Sequence, residues 1–130
     1  HGNPSFAYPY FTGFADEKGE GEGMGFNLNM PLKESINGEE YLTNLKKALK
    51  AVKSFSPDFL IVSLGFDPAK GDPTGTWALS AADFKNNGAE MGTLPYPILF
   101  VQEGGYKNRT LGVNARNFFE GYLSTRVFKK

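Results

Sequence analysis

The chain contains no cysteine and a single histidine, His1. Disulfides and thiolate metal sites are therefore excluded, and carboxylates are the main metal-binding side chains on offer. The lack of cysteine also fits a reducing, cytoplasmic setting. Net charge is missing too, since 14 Lys and Arg balance 14 Asp and Glu. No field of one sign draws the chain to nucleic acid or to an anionic membrane, so a small molecule or peptide is the expected partner. Long apolar runs are absent: the longest, Phe59 to Leu64 and Ile98 to Val101, fall far short of the ~20 residues that cross a bilayer. The expectation is a soluble protein with no membrane contact. No methionine opens the chain, and His1-Gly2-Asn3-Pro4 offers neither a helix cap nor a strand pattern, so this start reads as a cut end.

What is present is the substance of one domain, or a piece of one, in 130 residues. The 16 Gly and 8 Pro predict a large share of turns and loops, where sites tend to lie. From His1 to Gly25 the chain reads as one loop, with Tyr8-Pro9-Tyr10-Phe11-Thr12-Gly13 followed by Gly19-Glu20-Gly21-Glu22-Gly23. A structureless stretch of that length is usually functional. It is not a phosphate loop: the G-x-G-x-x-G spacing is missing, and its acidic residues would repel phosphate.

Phe26 to Leu32 alternates apolar and polar residues, with Phe26, Leu28 and Met30 against Asn27 and Asn29, which predicts a short strand. From Glu39 to Phe55 the residues Leu42, Leu45, Leu49, Val52 and Phe55 recur at spacings of three and four. That is one apolar stripe on an amphipathic helix, ended by Ser56-Pro57. Phe59-Leu60-Ile61-Val62-Ser63-Leu64 is nearly continuous in apolar residues, the pattern of a parallel strand covered on both faces. The plan then repeats with a helix from Ala81 to about Met91, a strand from Ile98 to Val101 and a final helix from about Leu111 to Leu123. Alternating strands and helices imply an α/β fold with parallel strands, whose ligands gather beyond the carboxyl ends of the strands. Asp67 and Tyr106 both fall there. Read by residue type alone, Asp67 is a turn former, a helix cap or a metal ligand, and Tyr106 a half-buried turn residue or a hydrogen-bond donor.

The segment Val62-Ser63-Leu64-Gly65-Phe66-Asp67, followed by Gly71-Asp72-Pro73, resembles the part of histone deacetylases and acetylpolyamine amidohydrolases that supplies their last zinc ligand. Glu103-Gly104-Gly105-Tyr106 is similar to the segment with their catalytic tyrosine, and His1 to Leu32 to the stretch between their second and third metal ligands. The resemblance implies that residues 1–130 are the C-terminal part of a single deacetylase domain of the three-layer arginase/deacetylase fold, with an active-site loop over 1–25 and strand and helix repeats over 26–130. It tilts toward the bacterial acetylpolyamine amidohydrolase branch.

What it implies for the site is specific. Asp67 becomes a ligand of one catalytic Zn²⁺, and Tyr106 the donor to the oxyanion of an acetyl group under hydrolysis. Phe11, with Tyr10 as the alternative, and Gly104 and Gly105 line the substrate channel. The backbone carbonyl of Phe26 joins a structural K⁺ or Na⁺. Asp72 is expected to be structural, receiving backbone hydrogen bonds within its loop. The family's Asp-x-His ligands and its adjacent histidines lie before the matched region, and His1 aligns with neither. The expected function is therefore a share in a zinc-dependent deacetylase acting on an acetylpolyamine or acetyl-lysine, with these residues inactive alone. The alternatives are a non-catalytic α/β module binding a small ligand, or a pseudoenzyme. Parallel strands without neighbours leave open edges, for which homo-oligomer formation is one remedy.

Overall fold

Helix α1, Gly38–Phe55, begins where the sequence supplies both halves of a capping box. Asn37 Oδ1 accepts from Glu40 N at 2.9 Å, and Glu40 Oε2 accepts from Asn37 N at 3.3 Å. Two orphan amides of the first turn are thereby satisfied. Glu39 and Glu40 in the first turn and Lys53 in the last suit the helix dipole. The helix stops at Ser56, which turns left-handed (φ 55°) ahead of Pro57, while its N–H still bonds Val52 O. Leu49 is buried in the core and Tyr41 and Leu45 pack against it, whereas Phe55 at the end of the predicted stripe is exposed.

The computed structural model describes residues 1–8 and 10–126. Beyond α1 the elements are β1 (Leu60–Leu64), α2 (Ala81–Gly92), β2 (Ile98–Gln102) and α3 (Asn108–Thr125). Each lies within a few residues of its sequence expectation. The two strands pair in parallel, in a register running from Leu60 opposite Ile98 to Leu64 opposite Gln102. Helix α2 thus serves as the crossover of a β-α-β unit. Its start repeats the device seen at α1, with Ser80 and Asp83 as the capping box.

One sheet face carries Leu60, Val62, Leu64, Ile98 and Phe100 onto a core of Leu49, Phe66, Leu79, Phe84, Met91, Leu94 and Phe118. Phe100 meets Phe118 and Tyr122 edge-on at 5.4 and 5.1 Å between ring centroids, and Phe66 meets Phe84 at 5.4 Å. The other face is bare: Ile61 and Leu99 are each 58% exposed and Val101 40%. The expectation that β1 is covered on both faces is therefore not met among the described residues. Period-two burial replaces it because the helices cover one face only.

Helices α2 and α3 cross at glycines. A side-chain carbon on Gly88 would overlap the Phe118 carbonyl, and one on Gly121 the Lys85 carbonyl. The crossing is close because neither helix presents a side chain there.

The chain separates into two compact units, His1–Ile36 and the residues from Asn37 onward. Among its described residues the first has one short 3-10 turn, Gly21–Gly23, and is otherwise held by backbone and side-chain hydrogen bonds. Leu32 N donates to His1 O at 2.8 Å, which makes an isolated parallel bridge between Gly2 and Leu32. The strand expected over Phe26 to Leu32 does not form. Its alternating asparagines serve the loop instead: Asn27 Nδ2 donates to Glu17 O at 2.8 Å and Asn29 Nδ2 to Phe14 O at 3.0 Å. Local side-chain bonds of this kind compete with a strand ladder. Phe26 and Leu28, its intended apolar face, are exposed.

Candidate active site

Beyond the last paired residues the two chain segments stay together. Glu103 N donates to Leu64 O at 3.0 Å and Phe66 N to Gly104 O at 2.8 Å, so the segment after β2 runs beside the segment after β1. Asp67 follows at this rim, and its carboxylate lies against the backbones of two glycines. A carbon added to Gly104 would stand 2.9 Å from Asp67 Cγ and from both carboxylate oxygens, and one added to Gly65 would overlap Oδ1. Gly75 closes on Asp67 from behind, since a carbon there would sit 2.5 Å from the Asp67 carbonyl oxygen. Among the described residues none donates a hydrogen bond or forms an ion pair to this carboxylate. A partly buried carboxylate walled by glycine, with its oxygens unclaimed, is available to a cation. Tyr41, on α1, senses it: burial raises the tyrosine's pKa, and the negative charge of Asp67 raises it further.

Gly105 needs to be glycine on two counts. Its φ is +130°, and a carbon there would stand 2.9 Å from Phe66 Cβ and 3.0 Å from Leu111 Cδ1. Tyr106 comes next, 57% exposed. Behind it lies Asp72, 4% exposed. Asp72 Oδ2 accepts from Tyr106 N at 2.7 Å and Lys107 N at 3.0 Å; Oδ1 accepts from Thr74 N at 3.0 Å and Thr74 Oγ1 at 2.8 Å. Burial pushes this carboxyl up, but the bonds from Thr74, Tyr106 and Lys107 outweigh it and hold the pKa below the ordinary value. Lys107 Nζ adds a tie to Lys70 O at 2.7 Å. The expectation of a structural Asp72 receiving backbone hydrogen bonds is met, and the identity of two donors, 34 and 35 residues away, is new.

The structure thus gathers Asp67, Gly104, Gly105 and Tyr106 at one strand-end rim. The other candidates lie in the first unit. Tyr10 and Phe11 are consecutive left-handed residues, φ 53° and 58°, with Phe11 80% exposed. Two non-glycine residues in that region in succession are uncommon and are typical of functional loops. Phe26 is exposed, and its N–H donates to Gly23 O at 3.1 Å. Asp67 fits one position of a metal site; among the described residues no group of three or more His, Cys, Asp and Glu could hold a metal ion.

Residues 1–122 match the histone deacetylase domain. The chain belongs to the histone deacetylase family. It is 42% identical over 122 residues to acetylpolyamine amidohydrolase 2 of Pseudomonas aeruginosa, covering 94% of this chain and 36% of that protein. To the acetylpolyamine amidohydrolase of Burkholderia pseudomallei it is 40% identical over 126 residues, covering 97% of this chain and 37% of the relative. The crystal structure of the acetylpolyamine aminohydrolase from Burkholderia pseudomallei superposes with a TM-score of 0.94 at 39% identity, covering 98% of this chain and 37% of that one. The chain therefore spans little more than a third of the length of these relatives. The α/β parallel-sheet fold and the tilt toward acetylpolyamine amidohydrolases both agree with these likenesses.

Proposed function

We propose that this chain forms one wall of a composite zinc site in a deacetylase that hydrolyses the amide of an acetylated amine, an acetylpolyamine or an acetyl-lysine, to amine and acetate. One observation carries the reading: the Asp67 carboxylate, unclaimed among the described residues, and Tyr106 stand at adjoining strand ends in a chain of this family. Asp67 holds one coordination position, and the remaining ligands and the proton-transfer histidines are supplied from outside these 130 residues. When bound, zinc supplies Lewis-acid activation of water and of the scissile carbonyl.

The work of this chain's own residues follows from their chemistry. The two glycine backbones beside Asp67 fix where its oxygens point. Tyr106 donates its phenolic hydrogen to the acetyl oxygen as negative charge grows there, and one such donor is typically worth about 3 kcal/mol. Phe11, with Tyr10, supplies apolar contact to the stem of the acylated amine. Gly104 and Gly105, as further channel residues, carry no side chain to obstruct it. The Phe26 carbonyl joins a structural monovalent cation. The setting is cytoplasmic, and the bare sheet face around Ile61 and Leu99 is where further residues, or a second copy in a homo-oligomer, cover the chain.

The test is acetate release from acetylputrescine and from an acetyl-lysine peptide by the full-length protein, with and without zinc. Zinc-dependent release supports the reading; absence of zinc binding and of turnover contradicts it. The 130 residues alone should be inactive, and zinc-dependent turnover by the purified piece would show the site to be complete within them.

A further inference from the structure

The phenol of Tyr106 has no hydrogen-bond partner among the described residues, and its side chain is more than half exposed. Its aim is therefore set from the backbone. Immediately before it stand Gly104 and Gly105, the most permissive residues a chain can use, so local geometry alone leaves that aim loose. The constraint comes from Asp72. One of its oxygens accepts the N–H groups of both Tyr106 and Lys107, while the other is clamped by the N–H and hydroxyl of Thr74. Bonds to an ionised acceptor are the stronger kind, and this one is buried.

We infer that Asp72 is the positioning residue for Tyr106, holding the tyrosine's backbone so that its hydroxyl meets the substrate's acetyl oxygen. This rests on the deacetylase reading above. The competing role is simple capping, because Lys107 is the N-cap of α3 and its amide would otherwise be an orphan. A cap contributes to stability and leaves turnover alone; a positioning residue acts through Tyr106 and through nothing else.

A double-mutant cycle on the zinc-loaded full-length protein separates the two. With an acetylated amine as substrate, Tyr106→Phe should lower kcat by about 10²- to 10³-fold. Asp72→Asn should lower kcat by about 10- to 100-fold, with KM and bound zinc unchanged. In the double variant the second loss should vanish, leaving it no slower than Tyr106→Phe. Multiplying losses, or wild-type kcat in Asp72→Asn, would overturn the inference. If Asp72→Asn does not fold, Thr74→Val removes one clamp and keeps the backbone bond. A several-fold kcat loss that disappears in the Tyr106→Phe background supports the role; no loss, or an equal loss in both backgrounds, overturns it. An inactive wild type would instead overturn the deacetylase reading, and this inference with it.

Discussion

Gly104→Ala is the sharpest perturbation of the site, because it adds one carbon and asks nothing new of the backbone: Gly104 is not among the positive-φ glycines. The added carbon would stand 2.9 Å from the Asp67 carboxyl carbon and both oxygens, where ordinary contact begins at 3.4 Å. The carboxylate must therefore retreat by about 0.5 Å, and it cannot do so toward Gly65, against which Oδ1 already lies. A misplacement of about 1 Å at a reacting centre costs about 10²-fold, so half of that should cost about tenfold in kcat. Zinc affinity should fall by about 10-fold, the lower end for disturbed support of a ligand. Chelator competition and steady-state kinetics on the full-length protein measure both. Wild-type zinc affinity and kcat in this variant would refute the claim that Gly104 seats the carboxylate.

Three further outcomes follow from the packing. Gly112 in α3 has nothing within 4 Å of an added carbon, so Gly112→Ala should leave activity alone and raise stability by about 0.5–1 kcal/mol, read as a higher unfolding midpoint. Gly88→Ala drives its carbon into the Phe118 carbonyl and to 2.8 Å from the Phe118 carbonyl carbon; a loss of about 3 kcal/mol is expected in thermal unfolding, and a neutral result would mean that the α2 and α3 backbones are not in contact. Asp72 has a lowered pKa in the folded state, so its stabilisation is fully present above the unfolded value of about 3.9 and is lost as pH falls through the lower folded value. The stability gap between wild type and Asp72→Asn should accordingly be widest near neutrality and shrink below about pH 4; a gap that is constant from pH 7 to pH 3 would contradict the ionised, hydrogen-bonded carboxylate.

Much of this architecture is legible in the sequence, for reasons that can be located. The stripe from Leu42 to Val52 predicts α1, and the apolar runs at Phe59 and Ile98 predict the strands. Those two strand ends put Asp67 and Tyr106 on one rim. The Phe26 to Leu32 segment misleads because alternation marks a strand only when a partner strand exists; the asparagine amides bond loop carbonyls instead. The bare face of β1 is hidden because an apolar run does not report how much of its cover lies within the same chain. The tether from Asp72 to Tyr106 is out of reach for a different reason: it joins residues 34 apart, and sequence spacing carries no information about that approach. An acid before Pro73-Thr74 does signal a local turn, and the Thr74 bonds to Oδ1 are that turn.

In the proposed site, Asp67 binds the zinc on which turnover depends. Metal content and acetate release, measured side by side on the full-length protein and its Asp67→Ala variant, test it most directly. The wild type should bind zinc and release acetate. Asp67→Ala should lose both while still folding, since the carboxylate makes no hydrogen bond among the described residues that the fold would miss. A folded Asp67→Ala variant that binds zinc and turns over like the wild type would contradict the claim.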